Sequence, residues 1–69
     1  MRQWLIDLRQ LHGFTQAEVA KIVGIKQPYY SKIERGKQIP TTKCDIEKKI
    51  ADLLGFQYTK FFEDKKESE

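Results

Sequence analysis

Four glycines, at positions 13, 24, 36 and 55, cut the chain into stretches of helical length. Each stretch carries its apolar residues at helical spacing, and none alternates apolar and polar as a strand would. Trp4, Leu5, Leu8 and Leu11 fall at i, i+1, i+4 and i+7 and predict a first helix stopped by Gly13, with Phe14 as a core plug beyond it. Such a chain is confined to short helices around one core. A domain of this size hides only about 60% of the surface its unfolded form exposes. With 69 residues the helices must therefore be joined by tight turns.

Thr15-Gln16-Ala17-Glu18 is a capping box. The Thr15 hydroxyl can accept from the Glu18 amide while the Glu18 carboxylate reaches back to the Thr15 amide. It opens a second helix whose inward residues are Val19, Ala20 and Val23 and whose end is Gly24, followed by Ile25. A third helix is predicted from Gln27 to Arg35, with Tyr30 and Ile33 inward. Pro28 falls in its first turn, where amides have no intrahelical partner and a proline does no harm. Gly36 closes it, and Lys37 to Pro40 form a loop pinned by Ile39. Thr42 to Asp45 read as a weaker capping box for a fourth helix with Ile46, Ile50, Leu53 and Leu54 inward. Tyr58 to Phe62 can form a short fifth helix. Residues 63–69 have no apolar anchor and are expected to be a charged, disordered tail on a single domain spanning 1–62.

The net charge of +3 is unevenly spread: residues 1–40 hold seven Lys/Arg against three Asp/Glu, and residues 41–69 six against seven. The excess in the first part favours an anionic partner. One cysteine, Cys44, allows no intrachain disulfide, and with no signal-like apolar stretch the reading is cytoplasmic, with no membrane. A single histidine, His12, and a single cysteine leave no two-His or zinc site, and there is no glycine-rich phosphate loop. Ser31 has no base in prospect. An enzyme is excluded on these grounds, and no metal or cofactor is called for.

Two short helices joined by a tight glycine-containing turn make a helix-turn-helix, here spanning Thr15 to Arg35. The run FTQAEVAKIVGIKQPYYSKIERGKQIP resembles the phage repressor and Cro family of helix-turn-helix DNA-binding proteins, also called XRE-like. The matching marks are Leu8-Arg9 with Gly13, Thr15-Gln16 with Glu18-Val19-Ala20, Gly24-Ile25, Ser31 with Ile33-Glu34-Arg35-Gly36, and Pro40. Ile50-Ala51 and Leu54-Gly55 extend them, so that the likeness covers residues 2–62. Each mark alone is weak; the combination is specific. The resemblance implies an all-α, compact five-helix bundle of the lambda-repressor-like kind. It also implies sequence-specific binding of double-stranded operator DNA by a homodimer, usually as a transcriptional repressor on a pseudo-palindromic site.

Roles carry over by position. Gln16 matches a glutamine that meets a phosphate at the start of helix 2, where free amides and a partial positive charge favour an anion. Gln27 matches the first base-reading position, and a glutamine amide can bond to N6 and N7 of adenine. Pro28, Tyr29 and Lys32 fall on the same face of helix 3 as candidate base contacts, Tyr29 toward a thymine methyl or a phosphate. Arg35, Lys37 and Lys43 match the loop that grips the backbone. Tyr30 matches a buried position, and Arg9 with Glu34 match a buried ion pair between helices 1 and 3.

Two positions depart from the family pattern. Lys26 stands where the family has a Ser or Thr cap; a lysine accepts no hydrogen bond there, and its charge opposes the helix dipole. It is expected to meet a phosphate instead. The stretch from Pro40 to Ile46 also runs slightly longer than in short members. Of the aromatics near the end, Tyr58, Phe61 and Phe62 are candidates for a dimer patch, though closing the core is the plainer role. They also leave open a second class of function, an antitoxin or partner-binding module that acts mainly through protein.

Overall fold

The computed structural model describes residues 1–40 and 45–62. Four α-helices follow one another: α1 Gln3–Leu11, α2 Gln16–Val23, α3 Gln27–Glu34 and α4 Ile46–Leu54. A fifth helical segment, α5, runs over 60–62, held by amide bonds of Lys60, Phe61 and Phe62 to the carbonyls three residues back. No strand occurs among the described residues. The expected tail, 63–69, and Thr42, Lys43 and Cys44 lie outside them.

All five helical segments feed one core. Leu5 comes from α1, Val19, Ala20 and Val23 from α2, Tyr30 and Ile33 from α3, Ile46, Ile50 and Leu54 from α4, and Phe61 from α5. Each large apolar side chain hidden in this way contributes about 1.5–3 kcal/mol. Trp4 and Phe56 meet Phe61 at ring-centroid distances of 5.6 and 5.4 Å, edge-on or tilted, as ring quadrupoles prefer. At the far end of α1, His12 Nε2 sits 3.0 Å from the Leu54 carbonyl. The last carbonyls of a helix have no partner within it, so this contact ties the end of α1 to the end of α4.

Three expectations are corrected. Leu11 continues the apolar spacing of α1 but is 78% exposed. The packed length of α1 ends near Leu8; the chain then turns, and Phe14, brought back by that turn, packs against the core instead. Asp45 is not the third residue of a helix but the residue that precedes α4, in the left-handed region at φ 55°, with no side-chain capping bond. A short polar side chain tolerates that conformation better than most. Phe61, one of three aromatics proposed for a dimer patch, has no exposed surface. It packs against both Trp4 and Phe56, which also meet each other at a centroid distance of 5.0 Å, so it cannot present itself to a second copy.

Candidate nucleic-acid interface

The interface is built on α2, the turn after it, and α3. The capping box at the start of α2 is complete: the Glu18 amide donates to Thr15 Oγ1 at 3.1 Å, and the Thr15 amide donates to Glu18 Oε1 at 2.8 Å. At the other end Gly24 takes φ 84°, a conformation that costs a residue with a Cβ roughly 1–2 kcal/mol. In that conformation the amides of Gly24 and Ile25 both donate to the Ala20 carbonyl at 2.9 Å. The chain thereby turns within three residues, and α3 starts at Gln27 packed against α2.

The buried side of α3 is Tyr30, Ile33 and Glu34. Gln27, Pro28 and Lys32 are all exposed. Lys32 stands one turn beyond Pro28, so these two share one helix face, while Gln27 is exposed in the first turn about 100° round the helix from Pro28. Tyr29 is only half-exposed and packs against the core edge. Lys26 precedes the helix with extended backbone and no capping bond from its side chain. Replacing it by serine, Lys26→Ser, is expected to raise the unfolding free energy by about 1 kcal/mol through the missing cap. An unchanged urea midpoint would count against that account. Arg35 and Lys37 are exposed just past the end of α3, while Lys43 lies outside the described residues.

Beneath this face, one carboxylate joins three helices. Arg9 Nε donates to Glu34 Oε2 at 2.6 Å, with the Glu34 side chain 2% and the Arg9 side chain 12% exposed. Arg9 Nη1 also donates to the Phe14 carbonyl at 2.9 Å. Gln16 Nε2, from the first turn of α2, donates to Glu34 Oε1 at 2.8 Å. The hydrogen bond to Glu34 holds the Arg9 guanidinium above its ordinary pKa, and burial, followed by the neighbouring Glu34 carboxylate, pushes the Tyr30 phenol up. Both shifts favour the protonated forms, the guanidinium cation and the neutral phenol. Because Glu34 is buried and paired, its charge is withdrawn from the surface. The described stretch 26–38 then shows solvent four cations, Lys26, Lys32, Arg35 and Lys37, and no acid.

One intramolecular bond involves Gln16, expected from the sequence to meet a phosphate. Its amide nitrogen has two hydrogens, and Glu34 engages one of them. Gln16 is half-buried, and this bond fixes the orientation of its amide. Tyr58 and Phe62 remain surface aromatics, 39% and 38% exposed, whereas Phe61 does not.

Two buried charges were not anticipated from the sequence. Arg2 is 4% exposed and Glu47 is 2% exposed. For Arg2 a signal exists in hindsight: Arg2, Leu5 and Arg9 sit at i, i+3 and i+7, the inward stripe of α1. For Glu47, which follows Ile46 at the start of α4, spacing offers no comparable hint. Among the described residues no group of His, Cys, Asp and Glu is placed to hold a metal ion. No described helix is long and apolar enough to cross a membrane.

Known proteins match this sequence. The helix-turn-helix family model matches residues 5–43, which take in most of α1, all of α2 and all of α3. An uncharacterized HTH-type transcriptional regulator, YqaF, of Bacillus subtilis (strain 168) is 48% identical over 64 residues, covering 93% of this chain and 82% of that protein. No solved structure matches the chain. Sequence marks, turn geometry and these two matches agree, and the chain belongs to the XRE-like helix-turn-helix family.

Proposed function

We propose that this chain is a transcriptional regulator that binds double-stranded DNA by laying the exposed face of α3 in the major groove. The observation that carries the reading is the sorting of charge and amide groups around α3. Gln27, Pro28 and Lys32 are its exposed polar and proline positions, Lys26 stands at one end and Arg35 and Lys37 at the other, and the only acid among them is buried. A glutamine amide can read adenine and a lysine can read guanine by hydrogen bonds to their groove edges. The flanking cations would sit along the phosphates and fix register. Residues 1–62 serve as the DNA-binding unit, and the role is non-enzymatic.

In this reading the protein works in the cytoplasm as a repressor. It binds as a homodimer, through a patch that includes Tyr58 and Phe62, to a pseudo-palindromic operator. Half-sites would be about 34–36 Å apart, one turn of duplex. Lys43 belongs to the same backbone-gripping set, and Gln16 donates its second amide hydrogen to a phosphate. Lys26 is a phosphate contact too, so Lys26→Ser should lower the slope of log K against log salt by about 0.9.

Selection of binders from a random duplex pool, followed by titration of variants, tests the reading. Gln27→Ala is expected to cost about 1–3 kcal/mol at one base position and leave others alone. The Arg35→Ala/Lys37→Ala double variant is expected to weaken binding to all duplexes alike. If Gln27→Ala kept the full base preference, α3 would not be the reading helix.

A further inference from the structure

We propose that Arg2 is a positioning residue for the loop that carries Arg35 and Lys37, fixing where these two cations stand. The proposal rests on the DNA-binding reading above and goes beyond it. Arg2 lies outside the helix-turn-helix and is itself buried, so it cannot reach a phosphate. Its guanidinium nonetheless reaches across the structure. Nη1 donates to the Ile33 carbonyl at 2.5 Å and to the Gln38 carbonyl at 3.0 Å, and the Arg2 amide donates to the Glu34 carbonyl at 2.7 Å. Ile33 and Glu34 are the last residues of α3, and Gln38 is four residues past its end.

One residue therefore fastens both ends of the segment 35–37. The chemistry suits the place. The last carbonyls of a helix lack intrahelical partners and carry partial negative charge, and a guanidinium offers several donors and a fixed positive charge. The segment between the anchors turns at Gly36, with φ 78°. It is held internally by the Gly36 amide on Ile33 O at 3.2 Å and the Lys37 amide on Lys32 O at 3.0 Å. The chain ahead of Arg2 lies against this turn: a Cβ added at Gly36 would stand 3.4 Å from the Met1 nitrogen. On its other side the Arg2 guanidinium lies 5.5 Å over the Phe61 ring. The loop is thus anchored through Arg2 to α5, and Arg35 and Lys37 are displayed from a fixed support.

The test compares wild type, Arg2→Met, the Arg35→Ala/Lys37→Ala double variant and the triple variant. Each is titrated with a short mixed-sequence DNA duplex across a range of salt, beside a thermal melt. Methionine keeps a long stem over Phe61 but has no donor. Arg2→Met is expected to bind the duplex less tightly and to lower the slope of log K against log salt, by about 0.9 for each phosphate that is no longer neutralised. In the triple variant the slope is expected to equal that of the double variant, because Arg2 acts only through the two cations. A lowered melting temperature with an unchanged slope would make Arg2 merely structural and overturn the proposal. A further drop of slope in the triple variant would overturn it as well. Should Arg2→Met not fold, Arg2→Lys serves the same comparison: it keeps the charge but shortens the reach, and an unchanged slope there is equally fatal. If the double variant itself binds like wild type, the backbone role of the loop is what has failed; if only the Arg2 variants do, the fault is with this proposal alone.

Discussion

Glu34→Ala is expected to lower the unfolding free energy by about 3–5 kcal/mol, because it strands a guanidinium whose carboxylate partner was almost wholly enclosed. A domain of this length has roughly 3–10 kcal/mol in all, so the variant should be largely unfolded or close to it at room temperature. The loss has two parts. Arg9 loses the partner of its Nε at 2.6 Å, and Gln16 loses the acceptor that orients its amide at 2.8 Å. Glu34→Gln separates them, since it keeps the volume and one acceptor oxygen but removes the charge. It should fall between wild type and alanine in a urea titration. A Glu34→Ala melt superimposable on wild type would show that the pair contributes nothing to the fold.

The second large effect is at the opposite end of the chain. Phe61→Ala should cost about 3–5 kcal/mol, the usual range for emptying a phenylalanine site. The ring has no exposed surface and stands against Trp4, Phe56 and the Arg2 guanidinium, at 5.6, 5.4 and 5.5 Å by ring or charge centre. Phe62→Ala removes a ring that is only partly covered and should change stability by no more than about 0.5 kcal/mol. Denaturant midpoints for the two variants therefore diverge although the residues are neighbours. If Phe61→Ala proved as stable as wild type yet failed to self-associate, the core assignment would be wrong and the patch would include it after all.

Much of this architecture could be read before any coordinates. The capping box at Thr15 and Glu18 and the turn at Gly24 depend on neighbours within a few residues, and local chemistry decides them. The inward residues of α2 and α3 follow from spacing in the same way. What spacing could not supply were facts set by distant parts of the chain. Phe61 and Phe62 are equivalent as sequence; only the positions of Trp4 and Phe56 make one the core residue and the other a surface ring. Leu11 fits the stripe of α1, but nothing local says that the core ends a turn earlier. Arg2 looks like a solvated cation, as most arginines are, until the end of α3 and Gln38 arrive from more than thirty residues away to use its donors. On the candidate interface the exposure of Gln27, Pro28 and Lys32 agrees with the sequence reading. The half-burial of Tyr29 and the tie between Gln16 and Glu34 were not, because both depend on how closely the helices approach.

That tie changes how substitutions in this domain should combine. Residues 9, 16 and 34 come from three different helices, yet their side chains meet at one carboxylate. A change at any one alters what the other two are worth, so effects measured singly will not add. In a mutational library these positions should behave as one heritable block, tolerated together in a few combinations and rarely one at a time. Gln16, at the start of α2, would then be constrained by an ion pair it does not belong to, so a change at Arg9 would alter a side chain on a different helix.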